Sequence, residues 1–305
     1  MEVALMIEGQ YGLNWPRLQR IAQAVEDLGF VGLYRSDHFT NQKPPDIDSL
    51  ELWVSLTWLA SHTKRIEFGP MVSPASFRHP AFTARMAAAV DDLSGGRLTL
   101  GLGAGWQERE HTNFSFDLLE LPERFDRFSE GLEIITHLLQ KEEPLTFAGQ
   151  YYQMQDAVVL PHPQRAGGPP ILIGGNGPKY TLPRVAQYAS EWNAVFCTHK
   201  TYQECTQTLN DLLQKEGRKP GDVKRSLMTN LAYGRTDAEL TPKLRGKTTE
   251  ELIERGMVAG NSNQVTEQIG KWEELGVQRI MLQWLDLDDL DGLEAFSKEV
   301  LPQLI

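Results

Sequence analysis

The stretch VALMIEGQYGLNWPRLQRIAQAVEDLGFVGLYRSDHF, residues 3–39, contains a complete strand–helix–strand unit. The short apolar run at 3–7 predicts a strand, and the pattern over 15–28 predicts a helix that Gly29 ends. The next apolar run, 31–34, predicts a second strand. A strand, a helix and a strand in this order are typical of a parallel sheet with crossover helices.

The same alternation continues along the chain. Further strands are predicted at 66–72, 98–102, 171–173, 192–196, 226–233 and 279–284, and further helices at 50–59, from Pro80, and at 122–139, 180–189, 203–217, 264–275 and 293–301. Eight strand–helix pairs are the number that closes a barrel. We therefore predict an α/β fold, a (β/α)8 TIM barrel that forms a single domain over 1–305. An open, doubly wound sheet is the competing topology.

Insertions are predicted after strands 4 and 7. The first includes residues 142–168, where the pattern predicts a hairpin and a loop.

The composition restricts the classes of partner. The 305 residues are 41% hydrophobic and 23% charged, with a net charge of −11, which is ordinary for a globular protein. No basic stripe is present to neutralise phosphates, which argues against a nucleic-acid partner. No apolar run approaches the roughly 20 residues of a membrane span, and the N-terminus has no signal-peptide pattern. Cys197 and Cys205 are too few for a disulfide framework, so we expect a reduced, cytoplasmic setting.

The residues just past the strand ends are the candidates for an active site, because a barrel builds its site there. These ends carry Glu8-Gly9, Ser36-Asp37-His38-Phe39, Met71-Val72-Ser73-Pro74, the glycine-rich run 101–106, Gly174-Gly175-Asn176-Gly177-Pro178-Lys179 and Gln283-Trp284. We expect Glu8, His38, Gly105, Asn176 and Trp284 to surround one mouth of the barrel.

The glycines of 174–177 are consistent with an anion site. Glycine permits positive φ and a close approach of ligand to backbone, and successive N–H groups before a helix bind phosphate. A tight turn without a ligand explains the same residues equally well. The small residues of 101–105 also have two interpretations. They could form a wall without side chains against which a planar ring lies, or they could allow close packing at the barrel rim. As a dinucleotide-binding fingerprint, their GxGxG spacing is weak.

His38 is the candidate proton donor or acceptor, because imidazole titrates near neutral pH. The alternative is a structural histidine, which is common. Glu108, Glu110 and His111 resemble a fragment of a metal site, but no partner with matching spacing exists elsewhere. We therefore predict no metal.

Four blocks taken together resemble the luciferase-like monooxygenase superfamily, and within it the branch that uses the deazaflavin coenzyme F420. The blocks are Tyr34-Arg35-Ser36-Asp37-His38-Phe39, Phe77-Arg78-His79-Pro80, residues 93–97 running into 101–110, and 173–179 with Trp192-Asn193. Their order and spacing match over about residues 1–196. The run 276–283 extends the similarity towards the C-terminus.

The resemblance implies a cofactor site at the strand ends. His38 would lie near the reactive edge of the ring, as the catalytic residue. Met71 and Val72 would form a bulge behind the ring, with a non-prolyl cis peptide. The other implied contacts are Ala104, Gly105 and Trp106 at the ring and ribityl chain, and Gly175, Asn176 and Gly177 at the phosphate.

Two departures bear on the reaction. F420-dependent sugar-phosphate dehydrogenases of this superfamily carry a glutamate where this chain has Trp106. They also carry a tryptophan shortly after the histidine, where this chain has Thr40-Asn41-Gln42. The sequence therefore favours a reductase or a monooxygenase over a glucose-6-phosphate-type reaction.

The predicted function is hydride transfer between F420 and a small organic substrate. With the same site, the chain is alternatively an FMN-dependent monooxygenase that uses reduced flavin and oxygen, or a non-catalytic flavin-binding protein. A barrel that binds a phosphorylated metabolite without redox chemistry has less support, because no strand-end lysine or acid pair is evident. The identity of the substrate and the oligomeric state, a homodimer included, stay open.

Overall fold

Strands and helices alternate along nearly the whole chain in the computed structural model, which describes residues 1–304. The strands are β1 (Glu2–Ile7), β2 (Gly32–Arg35), β3 (Glu67–Pro70), β4 (Ser73–Pro74), β5 (Leu100–Gly103), β6 (Leu145–Ala148), β7 (Gln153–Ala157), β8 (Ile171–Gly174), β9 (Glu191–Val195), β10 (Lys224–Tyr233), β11 (Val258–Gly260) and β12 (Arg279–Gln283). The helices are α1 (Trp15–Asp27), α2 (Leu52–His62), α3 (Pro80–Ser94), α4 (Glu108–Phe114), α5 (Leu121–Gln140), α6 (Thr181–Tyr188), α7 (His199–Lys215), α8 (Asp237–Leu244), α9 (Thr249–Ile253), α10 (Ser262–Glu274) and α11 (Leu290–Glu299).

The parallel strands close into a barrel. Their hydrogen-bonded order is β3–β2–β1–β12–β10–β9–β8–β5–β4. β3 and β4 are two parts of the third barrel strand, separated by Met71 and Val72. A parallel bridge between Phe68 and Leu98, together with the pairing of β4 with β5, joins the two ends of the sheet. The predicted (β/α)8 barrel is therefore confirmed, with its third strand split.

The first strand–helix–strand unit shows why the local sequence folds this way. The side chain of Asn14 caps α1 by accepting a hydrogen bond from the backbone N–H of Arg17 at 3.2 Å. The buried positions of α1 are Leu18, Ile21, Ala22 and Val25. Their spacing places them on one helix face, which packs on the sheet. Gly29, with a φ of 89°, then reverses the chain towards β2.

Both insertions lie where the sequence predicts them. The first, after β5, contains α4 and the antiparallel hairpin β6–β7, which lie before and after the barrel helix α5. The second, after β10, contains α8, α9 and β11, and β11 pairs with the end of β10. The sequence pattern does not predict α4, α8, α9 or β11, because each is too short to show a hydrophobic period.

Apolar side chains form two layers in the barrel, and a third, small cluster lies between the end of β10 and the second insertion. The larger layer fills the space between the strands and the helices, and the smaller one fills the inside of the barrel. The inner layer is Ala4, Met6, Tyr34, Met71, Leu172, Met228 and Met281. Within residues 1–304, no helix has the length and apolar character needed to cross a bilayer.

Candidate active site

A cavity of about 430 Å³ opens at the carboxyl ends of the barrel strands. Six of the nine predicted site residues line it, and they are His38, Met71, Val72, Gly105, Trp106 and Gly175. The other three, Ala104, Asn176 and Gly177, are neighbours of these residues along the chain. Glu8, which the sequence also predicts at this mouth, lines the cavity.

Trp284 lies at the same end of the barrel but on the outer side of its wall. It packs against Phe296, with 6.5 Å between the ring centroids. It lines a separate cavity of about 340 Å³ under α8, together with Lys243 and Arg245. The expectation that Trp284 would border the same mouth as His38 is therefore wrong. Successive strand residues face opposite sides of a sheet, and the inward position belongs to Gln283.

His38 is oriented by a buried carboxylate. Its Nδ1 lies 2.8 Å from Oε1 of Glu110, a residue of α4 with no solvent exposure. The other carboxylate oxygen accepts a hydrogen bond from the backbone N–H of Phe39 at 3.1 Å. Because a carboxylate only accepts, the Nδ1 of His38 carries the hydrogen. Nε2 has no partner among residues 1–304 and is the atom left for a ligand.

The surroundings of His38 raise its pKa. Burial lowers the pKa, but the hydrogen bond and the charge of Glu110, with the charges of Glu8 and Asp37, outweigh that effect. The net pKa lies above the ordinary value for histidine. The imidazolium form therefore persists to higher pH than in an unperturbed histidine.

Glu110 is a residue of the cavity region that the sequence does not predict as part of the site. It belongs to the Glu108–Glu110–His111 group considered as a metal-site fragment. The structure instead pairs Glu110 with His38, while His111 contacts Ser76 Oγ at 2.7 Å through Nε2. Residues 1–304 contain no group of three or more acidic, histidine or cysteine side chains suited to a metal. Predicting α4 from the sequence would have shown that Glu110 and His111 face different neighbours, because adjacent residues on a helix point in different directions.

Asp37 stabilises the loop that carries His38. Its carboxylate accepts hydrogen bonds from Arg78 at 2.5 Å and from the Ser73 hydroxyl at 2.8 Å. Arg78 also donates to Glu51 at 2.9 Å, at the other end of the β2–α2 loop. Arg78 and Ser73, which follow β3, thus form hydrogen bonds with both ends of the β2–α2 loop.

Val72 forms one wall of the cavity, and three glycines make room for it. The peptide bond between Met71 and Val72 is cis, as the resemblance implies. A Cβ on Gly103 would lie 2.7 Å from a methyl of Val72, and one on Gly174 would lie 3.2 Å from the other methyl. A Cβ on Gly101 would lie 3.3 Å from that second methyl. The bare strand ends therefore serve close packing, and the wall that faces the cavity is the side chain of Val72.

The turn between β8 and α6 exposes several backbone donors. Gly175 has a φ of 125°, which favours glycine, and its carbonyl accepts from the indole N–H of Trp192 at 2.8 Å. Within residues 1–304, the backbone N–H groups of four residues in this turn donate to no other group. These residues are Asn176, Gly177, Lys179 and Tyr180, and Pro178 between them has no N–H. Such a cluster before a helix N-terminus is suited to an anion.

The Asn176 side chain has a structural role. Its amide donates to the carbonyl of Val195 at 2.6 Å and accepts from the Val195 N–H at 3.0 Å. Both polar atoms are thus used to join the turn to the end of β9. Only the backbone of Asn176 is left for a ligand.

Trp106 covers the approach to His38. Its ring stands edge-to-face with the imidazole, with 5.4 Å between the centroids, and 53% of the residue is exposed. Gly105 before it has a φ of 90°, and its carbonyl accepts from Arg124 at 3.1 Å. The indole therefore lies at the cavity entrance on a turn that only glycine adopts without strain.

Comparisons with known proteins identify the family of this chain. The family model described as luciferase-like monooxygenase matches residues 4–248. The F420-dependent glucose-6-phosphate dehydrogenase of Kineococcus radiotolerans is 26% identical, over 94% of this chain and 93% of that protein. The 4-hydroxyprotoasukamycin monooxygenase of Streptomyces nodosus subsp. asukaensis is 23% identical, over 96% of this chain and 87% of that protein.

A solved structure confirms the fold. An F420-dependent secondary alcohol dehydrogenase, in complex with an F420–acetone adduct, superposes with a TM-score of 0.85 at 18% identity. The match covers 100% of this chain and 99% of that one. The match of the family model over most of the chain confirms the resemblance found in the sequence. This chain belongs to the luciferase-like monooxygenase family and is one of its oxidoreductases.

Proposed function

We propose that this protein is an F420-dependent oxidoreductase that transfers hydride between the deazaflavin and a small organic substrate. The observation that carries the proposal is the position of His38, held by Glu110 at the wall of a cavity that reaches the Gly175 turn. F420-dependent relatives at 26% identity support the choice of cofactor. We also propose that residues 1–305 act as one domain in a cytoplasmic setting.

The residues at the cavity fit such a cofactor. Bound there, the deazaflavin would supply the hydride chemistry. Backbone N–H groups of 176–180 would hold its phosphate, and Val72 and Met71 would support one face of the ring. Gly105 and Trp106, with Ala104 behind them, would border the ring at the entrance. The mostly apolar lining excludes water from the reacting atoms.

His38 is the proton donor in this proposal. Glu110 fixes the Nδ1–H, so Nε2 is the atom that faces a substrate. The raised pKa keeps a proton on Nε2 to higher pH than in an unperturbed histidine. His38 would give this proton to the substrate atom that gains a lone pair during reduction, and would recover it from solvent.

The second candidate is an FMN-dependent monooxygenase. It has specific support in the similarity to a monooxygenase over 96% of this chain. A ring wall and a phosphate turn accommodate either cofactor, so the lining residues alone do not separate the two. A non-catalytic flavin-binding protein is the third outcome, since it would use the same contacts.

The decisive experiment is a titration of the purified protein with F420 and with FMN, followed by absorbance and fluorescence. We expect F420 to bind more tightly than FMN, and reduced F420 to be oxidised when a substrate is present. Tighter binding of FMN, with oxygen-dependent turnover, would favour the monooxygenase. Tight binding with no turnover across a broad substrate panel would favour the flavin-binding protein.

The phosphate turn has a test of its own. A Cβ at Gly177 would lie 3.1 Å from Thr181 Oγ1, so Gly177→Val should crowd the turn. We expect at least about tenfold weaker cofactor binding, or roughly 1.4 kcal/mol. Gly221→Val is the matched control, because a Cβ there meets nothing within 4 Å. Equal cofactor affinities for the two variants would contradict the phosphate assignment.

A further inference from the structure

Glu8, at the end of β1, is a carboxylate whose position is fixed by side-chain amides. Its oxygens accept hydrogen bonds from Gln283 and, at 2.9 Å, from Gln10. The Gly9 N–H donates to Ser36 Oγ at 2.8 Å, so the Ser36 hydroxyl donates to the side-chain carbonyl oxygen of Gln10, also at 2.8 Å. This chain of bonds fixes the orientation of the Gln10 amide, with its NH₂ towards Glu8. Glu8 is thus held as an acceptor at the cavity wall.

The charge of the cavity wall is set by Glu8. No lysine or arginine lines the cavity within the described residues. The other titratable side chain of the lining is His38, and a positive charge on it is offset by the Glu110 carboxylate at 2.8 Å. Most of the remaining lining is apolar, with Met6, Met228, Val195, Phe196 and Trp106 as its larger side chains. A single net negative charge therefore faces an otherwise apolar space.

We propose that Glu8 selects the substrate. It would accept a hydrogen bond from a hydroxyl or amino group of an otherwise apolar molecule that is uncharged or cationic, and it would repel phosphorylated or carboxylated molecules. This inference rests on the proposed function in one respect, namely that the substrate meets the cofactor in this cavity.

The physical reason is the environment of the carboxylate. Two like charges in a poorly solvated site repel far more strongly than in water. A hydrogen bond from a donor to a carboxylate is stronger than a neutral one. A site built to accept such a bond also rejects analogues that lack the donor, since its acceptor is then left unpaired. Glu8 therefore discriminates by charge and by hydrogen bonding together.

The experiment compares three probes of one shape, cyclohexylamine, cyclohexanol and cyclohexanecarboxylate. Their affinities are measured by calorimetry for the wild type, for Glu8→Gln and for Glu8→Asp, with F420 bound and without it. Glu108→Gln is the matched control, because it removes one exposed carboxylate two residues beyond Trp106. F420 affinity and melting temperature are measured for each variant.

We expect the wild type to bind the amine and the alcohol at least about tenfold more tightly than the carboxylate. Glu8→Gln should lose this preference, whereas Glu8→Asp and Glu108→Gln should keep it. If Glu8→Gln, with its new amide facing two amide donors, does not fold, Glu8→Asp carries the test, because loss of the preference in this variant, which keeps the carboxylate, would also overturn the assignment. An unchanged preference in Glu8→Gln, no binding of any probe to the wild type, or a larger effect on F420 than on the probes would overturn the assignment.

Failure of the proposed function gives a different result. In that case F420 binds no more tightly than FMN, or reduced F420 is not oxidised by any substrate, while the preference among the probes in the cofactor-free protein still reports on Glu8. The two proposals can thus fail separately.

Discussion

His38 and Glu110 form the contact that orients the imidazole at the cavity wall. The two residues are 72 positions apart in the chain and meet at 2.8 Å. Glu110 is buried and uses both oxygens, one on His38 and one on the backbone of Phe39. The pair therefore fixes which ring nitrogen carries hydrogen and where the imidazole lies.

Replacing His38 tests its role directly. We expect His38→Ala to lower turnover by about two orders of magnitude, because general acid catalysis contributes that much. F420 affinity should change little, whereas the melting temperature should fall because the buried Glu110 carboxylate loses one of its two partners. His162→Ala, in the loop between β7 and β8, is the control that should leave turnover intact. Full turnover in His38→Ala with the correct substrate would make His38 a packing residue.

Glu110 acts through His38, and its removal should change a pH profile. The folded-state pKa of His38 is raised by Glu110, so activity that needs the imidazolium declines as pH rises through this raised pKa. In Glu110→Gln the burial of His38 still lowers the pKa, while the main opposing charge is gone. We therefore expect the alkaline decline of kcat to move to lower pH, measured over a full pH series. Glu108→Gln should leave the profile in place, and an identical shift in both variants would contradict the pairing.

For single residues, the sequence predicts the catalytic candidate His38 but not its partner Glu110. His38 follows a predicted strand, and the rule that barrel sites lie past the strand ends identifies it. Glu110 lies in α4, whose seven residues are too few for a helical period. The contact also depends on how the first insertion packs over the mouth, which is a tertiary property.

Among the elements, the split third strand determines the wall of the cavity. β3 and β4 pair with their neighbours on either side of Met71 and Val72, and Val72 projects over the glycines of β5 and β8. The sequence predicts one strand over 66–72 and leaves open the role of the neighbouring glycines. Their role depends on contacts between strands, which a pattern along one strand does not contain.

A substitution in β5 tests this packing. A Cβ on Gly101 would lie 2.0 Å from the carbonyl oxygen of Pro70, a backbone atom with little freedom to move. We expect Gly101→Ala to lower the free energy of unfolding by about 1–3 kcal/mol, as overpacking does. Denaturant unfolding gives the value.

Gly270→Ala is the matched control for that change. Gly270 lies inside α10, and a Cβ there meets nothing within 4 Å. Alanine is the better helix former, so this variant should be more stable by about 0.5–1 kcal/mol. Equal stability changes for Gly101→Ala and Gly270→Ala would show that β5 has room for a side chain.

For the whole molecule, closure of the barrel places a charged network at the end opposite the cavity. Arg279 starts β12, is buried, and contacts Glu2 at 2.7 Å, Glu67 at 2.5 Å and Glu191 at 3.3 Å. It also donates to the hydroxyl of Tyr34 at 2.6 Å. One guanidinium therefore joins β12 to β1, β2, β3 and β9. The sequence predicts each of these strands, but only the closed barrel brings the five side chains together.

Removing this guanidinium should destabilise the fold without changing the site. Arg279→Met leaves the buried carboxylate of Glu191 uncompensated, and breaking a buried pair in this way costs about 3–5 kcal/mol. F420 affinity should stay within about twofold, since the network lies at the amino ends of the strands. Lys271→Met, which removes an exposed partner of Glu267, should change stability by less than about 1 kcal/mol.

The stability deficit of Arg279→Met should also depend on pH, in a direction that the burial of Glu191 fixes. Burial raises the pKa of Glu191, and Arg279 is the largest opposing influence. Without Arg279 the pKa should rise further above its unfolded value. A group with a raised folded-state pKa stabilises the fold while protonated, and that stability is lost as pH rises through the pKa. The deficit of Arg279→Met should therefore be smaller in acid and grow towards neutral pH, as measured by urea unfolding across a pH series. A deficit that is constant with pH would show that Arg279 stabilises the barrel by packing, and a deficit that grows in acid would contradict its compensation of the Glu191 charge.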